Sequence, residues 1–168
     1  MTPDPPAPPW FAVWTRSRAE KSVHQQLERK GFEAFLPTVT RWSRWKDRKK
    51  QVDWPLFPGY CFARFDPRQA LEVRTCVGVA TIVSFDGQLA PVPDVEVEGV
   101  RRLVASGLRY DPCPFIKEGS RVEVVDGPLK GMIGLLVKKG AHARLVLSVD
   151  LISQAVSATV DAADVRAY

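Results

Sequence analysis

The chain has 168 residues, 45% hydrophobic and 26% charged, with a net charge of +5. That balance excludes a wholly disordered chain. No apolar run approaches the ~18 residues of a membrane helix, and no basic, apolar leader opens the sequence. Cys61, Cys76 and Cys113 are widely spaced with no C-x-x-C pair, which argues against a disulfide framework or a zinc site and fits a reducing cytoplasm.

Proline fills five of the first nine positions, so residues 1–9 are expected to form a disordered tail. Trp10 to Trp14 reads as a strand, apolar on both faces and so central in a sheet. Ser17-Arg18-Ala19-Glu20 spells a capping box. Ala19, Val23 and Leu27 then lay one apolar stripe on a helix over about 18–30, stopped by Gly31. Residues 33–40 and 56–65 read as strands two and three, joined through the polar stretch 41–50 in a long hairpin. A fourth strand over 79–85 closes on an Asp86-Gly87 turn. Pro93-Asp94 opens a second helix, with Val97, Val100, Leu103 and Val104 inward and Gly107 as its stop. This order predicts an α+β domain over 10–109, an antiparallel sheet flanked by helices.

Asp111-Pro112-Cys113-Pro114 interrupts the pattern, and residues 110–116 are expected to be a linker. Beyond it, over 117–168, short strands alternate with glycine turns: Arg121 to Val125, a run to Val137, Arg144 to Val149 and Ala155 to Val160. That texture predicts a small β-barrel. Gly127, Gly131 and Gly134 do not form a phosphate loop, because the Lys-Ser/Thr ending is missing. They serve turns and tight corners instead. The same glycines, with Gly140, Pro128 and the β-branched residues from Val146 to Val160, favour strands over helix here.

Residues 1–112 hold 17 Lys/Arg against 13 Asp/Glu, and residues 113–168 hold seven against six. A polyanion surface is therefore expected in the first part. Its richest stretch is 41–50, where Arg41, Arg44, Lys46, Arg48, Lys49 and Lys50 interleave with Trp42 and Trp45. Cations beside stacking rings suit nucleic acid; a solvated hairpin tip whose charges discourage edge pairing is the alternative. In the third strand Tyr60, Phe62 and Arg64 share one face and Cys61, Ala63 and Phe65 the other. A face ending in Arg64 suggests an exposed aromatic patch of the kind proteins bind, with an ordinary core face as the alternative. No catalytic pattern is present, so an enzyme is not expected.

Trp10-Phe11-Ala12-Val13, Glu33-Ala34-Phe35-Leu36-Pro37 and the decapeptide Leu56 to Phe65 resemble the amino-terminal (NGN) domain of NusG-type transcription elongation factors. Gly119 to Val122 and Asp126 to Gly134 resemble a KOW motif, which implies an SH3-like β-barrel. The two resemblances together span Trp10 to the C-terminus. They imply a monomeric, non-enzymatic factor, without cofactor or metal, that binds RNA polymerase and modulates elongation as a processivity or antitermination factor. By resemblance, Phe57, Pro58, Tyr60 and Phe62 would meet the polymerase clamp helices. Arg16, with Arg41, Arg44, Lys46, Arg48 and Lys49, would lie near non-template or upstream DNA. The KOW turn of Gly127, Pro128, Leu129, Gly131 and Gly134 would face a second partner such as a ribosomal protein or a termination factor. The proline-rich tail and tryptophan-rich hairpin look like those of a specialised RfaH-like or LoaP-like paralogue, although Arg68 to Thr75 lacks the His-Thr-Thr cluster of RfaH-like proteins. A KOW-containing RNA-binding or ribosome-associated protein is the competing expectation.

Overall fold

A computed structural model describes residues 3–45, 48–116, 119–139 and 142–168. The chain forms two compact units whose sequences interleave: Met1–Leu36 with Pro58–Asp94, and Pro37–Phe57 with Val95–Tyr168. No helix among the described residues is long and apolar enough to cross a membrane.

The first unit is a helix-backed antiparallel sheet. It contains β1 (Trp10–Thr15), α1 (Glu20–Arg29) and β2 (Glu33–Phe35). After the excursion into the second unit come β5 (Tyr60–Arg64), α2 (Ala70–Arg74), β6 (Val79–Ile82), β7 (Ser84–Phe85), β8 (Gln88–Leu89) and β9 (Pro91–Val92). β1 is the hub. β5 runs along one side of it, from Trp10↔Arg64 to Trp14↔Tyr60, and β6 and β9 share the other side. Trp10 to Val13 are all buried, as a central strand requires. On the helix side, Val23 and Leu27 of α1 and Ala70 and Val73 of α2 join Phe11, Val13, Cys61, Ala63, Phe65 and Ile82 in one core. Each large apolar side chain buried there contributes about 1.5–3 kcal/mol.

Four local expectations change, the first being that the expected strand 79–85 divides at Val83 into β6 on the main sheet and β7 paired with β8. The capping box does not form: Arg18 has φ 63°, α1 starts after Ala19, and no side chain caps it. The expected strand 33–40 breaks at Leu36-Pro37, because proline has no N–H for the ladder. The expected strand 56–65 shortens to β5, since Gly59 at φ 87° turns the chain just before Tyr60.

The second unit holds the hairpin of β3 (Thr38–Trp45) and β4 (Arg48–Pro55), paired from Thr38↔Pro55 to Trp45↔Arg48. α3 (Asp94–Ala105) enters this unit at Val95. Six further strands follow: β10 (Tyr110–Cys113), β11 (Ser120–Val124), β12 (Ile133–Lys139), β13 (His142–Val149), β14 (Gln154–Val160) and β15 (Val165–Ala167). They form one antiparallel sheet in the order β10-β14-β13-β12-β11-β15. The region expected to favour strands is therefore β throughout its ladder. The expected linker is a correction: Tyr110 to Cys113 pair with Ala158 to Ala155 of β14. Pro112 is tolerated because β10 is an outer strand, paired on one side only among the described residues.

α3 lies against this sheet. Its Arg102 donates from Nη2 to the carbonyls of Pro128 (3.0 Å) and Lys130 (2.9 Å). Glu96 accepts the Asp150 amide at 2.9 Å. At Gly99 a Cβ would come within 2.6 Å of the Met132 Cε, so the helix leaves room there for Met132.

Candidate binding surfaces

Alternation along β1 and β5 sends Phe11, Val13, Cys61 and Ala63 toward the helices and Trp10, Ala12, Trp14, Tyr60, Phe62 and Arg64 to the other face. Burial on that second face is graded. Trp10 and Phe62 are fully buried, Tyr60 is half-buried, and Trp14 is 51% exposed. The Phe62 ring stacks with Phe35 of β2 at 6.2 Å. Arg64 sits 5.1 Å from the Trp10 ring centroid and pairs with Asp94 (3.0 Å) and Glu33 (3.6 Å). Two expected contact residues are thus corrected. Phe57 and Phe62 are core side chains with no exposed surface, while Pro58 is exposed and Tyr60 partly so.

Trp14 is the residue that sequence reading missed. It lies directly across from Tyr60 and two positions along the same face from buried Ala12. The signal available was its phase, since Trp10, Ala12 and Trp14 alternate onto one face. The turn beside it is fixed from both sides. Gly59 accepts from the Thr15 amide at 2.8 Å and donates its own N–H to the Glu20 Oε1 at 3.0 Å. Glu20, expected at a helix cap, is instead 6% exposed and holds this turn. A Cβ on Gly59 would lie 3.5 Å from the Trp14 Nε1, so the indole rests against the turn. Close by in the core, burial first, then Cys76 and Glu20, push the Cys61 thiol up to about 12, which leaves it inert as a nucleophile. Arg16 is exposed two residues beyond Trp14, its amide bonded to the Gly78 carbonyl.

The hairpin presents two open faces. Thr40, Trp42 and Arg44 with Asp53, Gln51 and Lys49 share one; Arg41, Ser43, Arg48, Lys50 and Trp54 share the other. Trp42 is 67% and Trp54 51% exposed. Arg41, Arg44, Arg48, Lys49 and Lys50 are all exposed, and none pairs with an acidic side chain among the described residues. Lys46 lies outside the described residues. Asp53 is engaged by the Thr40 hydroxyl. At the base, the Tyr110 hydroxyl donates to the Thr38 carbonyl at 2.7 Å. Burial, then the charge of Asp53, raises the Tyr110 pKa, so that donor keeps its proton.

In the C-terminal sheet, Gly127 and Gly131 take φ 87° and 89°, as turn glycines. Gly134 is a packing position: a Cβ there would approach the Val146 carbonyl to 2.7 Å. Leu129, expected on a partner surface, is 1% exposed and belongs to the core. The Pro128 side chain is exposed while its carbonyl is held by Arg102. Among the described residues no three His, Cys, Asp or Glu side chains converge to hold a metal.

The sequence model of the family described as "NusG: Transcription termination factor nusG" matches residues 8–101, more than half of the chain. Among solved structures, one described as "Domain interaction in Thermotoga maritima NusG" aligns over 95% of this chain and 96% of that one, at 20% identity and a TM-score of 0.57. The likeness is one of fold. A second, an MjSpt4:Spt5 complex in conformation B, aligns over 94% of this chain and 95% of that one at 17% identity, with a TM-score of 0.28.

Proposed function

The chain belongs to the NusG family, and from that premise we propose that it is an elongation factor that docks on RNA polymerase and favours the processive, antiterminating state. The observation that carries this reading is the exposed Trp14 beside Tyr60, set against a turn held from both sides by Thr15 and Glu20. A rigid aromatic pair loses little conformational freedom on binding, which is what makes such residues anchors of protein interfaces. Pro58, exposed in the same turn, extends the patch. Such a factor acts by differential affinity: tighter binding to the processive polymerase shifts the population toward it. Arg16 and the hairpin cations would lie toward nucleic acid, and the exposed turn around Gly127, Pro128 and Gly131 would meet a second protein. Residues 10–109 and 117–168 would then serve as polymerase-binding and recruiting domains.

The test is co-purification of the full chain with RNA polymerase before and after nuclease treatment, alongside a Trp14→Ala, Tyr60→Ala variant. Retention that survives nuclease, and falls at least ~10-fold in the variant, is the expected outcome. Retention lost to nuclease would instead identify an RNA-binding or ribosome-associated module.

A further inference from the structure

We infer that residues 3–9 form a stiff polyproline II ligand that docks in the aromatic-lined groove of a partner domain. This goes beyond the polymerase reading and does not rest on it. Every residue from Pro3 to Pro9 is either a proline or stands directly before one. Proline fixes φ near about −65°, and a following proline disfavours the helical region, so local sterics hold the whole segment extended. Residues 3–9 accordingly lie in no helix or strand, and residues 3–8 are exposed. Among the described residues no hydrogen bond reaches residues 3–8, so their carbonyls stand open to a partner's donors.

The register supplies the recognition surface. A polyproline II helix repeats every three residues and rises about 3.1 Å per residue. Pro3, Pro6 and Pro9 therefore fall on one edge and Pro5 and Pro8 on a second, with Asp4 and Ala7 on the third. Two of the three edges carry prolyl rings alone, over a length of about 19 Å. Such edges fit slots between parallel aromatic side chains, whose indole and phenol groups donate to the open carbonyls. The root of the segment is fixed as well. The Phe65 amide donates to the Pro9 carbonyl at 3.3 Å, next to Trp10, which has no exposed surface. Ala7 and Pro8 line a cavity of about 320 Å³ with Lys30, Phe32, Arg64 and Phe65, which leaves room beside the tail for the wall of a partner's groove. A ligand stiff along its length and pinned at one end loses little freedom on binding.

The experiment is NMR titration of the unlabelled full chain into three isotope-labelled probes with aromatic grooves: an SH3, a WW and an EVH1 domain. At least one should show saturable shifts confined to its groove, with a dissociation constant of about 1 mM or tighter. Pro5→Ala with Pro8→Ala strips one edge and should weaken that binding by roughly 5-fold or more, as should Pro3→Ala with Pro6→Ala on the other. Exchanging neighbours, Pro6→Ala with Ala7→Pro, keeps the number of prolines and breaks the register, and a similar loss is expected. Asp4→Asn, on the third edge, should bind as wild type. Melting temperature should be the same in every variant, because none removes a hydrogen bond. Binding to none of the probes overturns the inference and leaves the tail a spacer. Full affinity in the exchanged variant, or an equal loss in Asp4→Asn, overturns recognition by edge. Retention on polymerase should be unchanged in all of these variants, so the two readings fail separately.

Discussion

Glu20 is an acidic side chain with 6% of its surface exposed, and it accepts a hydrogen bond from an amide 39 residues away. Locally its sequence spells the third helical position of a capping box. Nothing in a four-residue window tells that Arg18 will take φ 63° and rotate the carboxylate inward to Gly59. The residue type was legible and the partner was not, because the partner is set by the pairing of β1 with β5. Trp14 was obscured for a related reason. Its identity suits a core, and only its phase relative to the end of the sheet makes it a surface residue. The consequence for stability is direct. Glu20→Ala leaves the Gly59 N–H without its acceptor and should cost about 1–3 kcal/mol in urea unfolding. Glu20→Gln keeps an acceptor and should recover a large part of that. The same Ala variant should weaken polymerase retention, because the turn under Trp14 loses one of its two restraints. Unchanged unfolding and retention in Glu20→Ala would show that the Thr15 bond suffices.

Helix α3 was legible from its apolar spacing, and Val97, Val100 and Leu103 are buried as that spacing requires. Gly99 is buried too, which hydrophobic periodicity cannot signal, since a glycine matters here by the Cβ it lacks. The hairpin was legible only as a strand–turn–strand. Its ladder is built from Thr38–Trp45 and Arg48–Pro55, so most of the polar stretch expected to link the strands is itself paired, and the expected strand 56–65 lies outside it. Which side chains share a face follows only from the Trp42↔Gln51 register. Expected strands 33–40 and 56–65 ran too long because apolar residues continue across Leu36-Pro37 and Leu56 to Gly59, where backbone geometry and not hydrophobicity ends the ladder. α3 also carries a pH dependence. Burial first raises the Glu96 pKa, the Asp150 amide bond opposes this, and the Asp150 charge adds to it. A carboxyl raised on folding contributes fully below its ordinary value of 4.5 and loses that contribution as pH rises through the raised value. Glu96→Gln keeps an acceptor for Asp150 and removes the ionisation. Its melting temperature should therefore exceed that of wild type near pH 7, with the difference closing below about pH 4. A constant difference across that range would assign the effect to packing.

The whole chain crosses between its two compact units three times, at Leu36/Pro37, Phe57/Pro58 and Asp94/Val95. Composition marks a different place, the prolines at 112 and 114, because proline content is visible in sequence and long-range pairing is not. β10 is the outermost strand of its sheet and carries Asp111 and Pro112. β14, the strand it covers, reads Gln-Ala-Val-Ser-Ala-Thr-Val and has neither a charge nor a proline. Asp111 and Pro112 are therefore gatekeepers: a charge discourages, and a missing N–H prevents, the docking of another chain's backbone. A fragment cut at residue 115 would lack them and present β14 bare. It should self-associate with rising concentration in size-exclusion chromatography with light scattering, whereas a fragment beginning at residue 109 should stay monomeric. Identical elution of the two would remove the gatekeeping role. In the intact protein, Asp111 and Pro112, in a stretch whose prolines resemble a break in the chain, are what keep β14 from recruiting copies of itself.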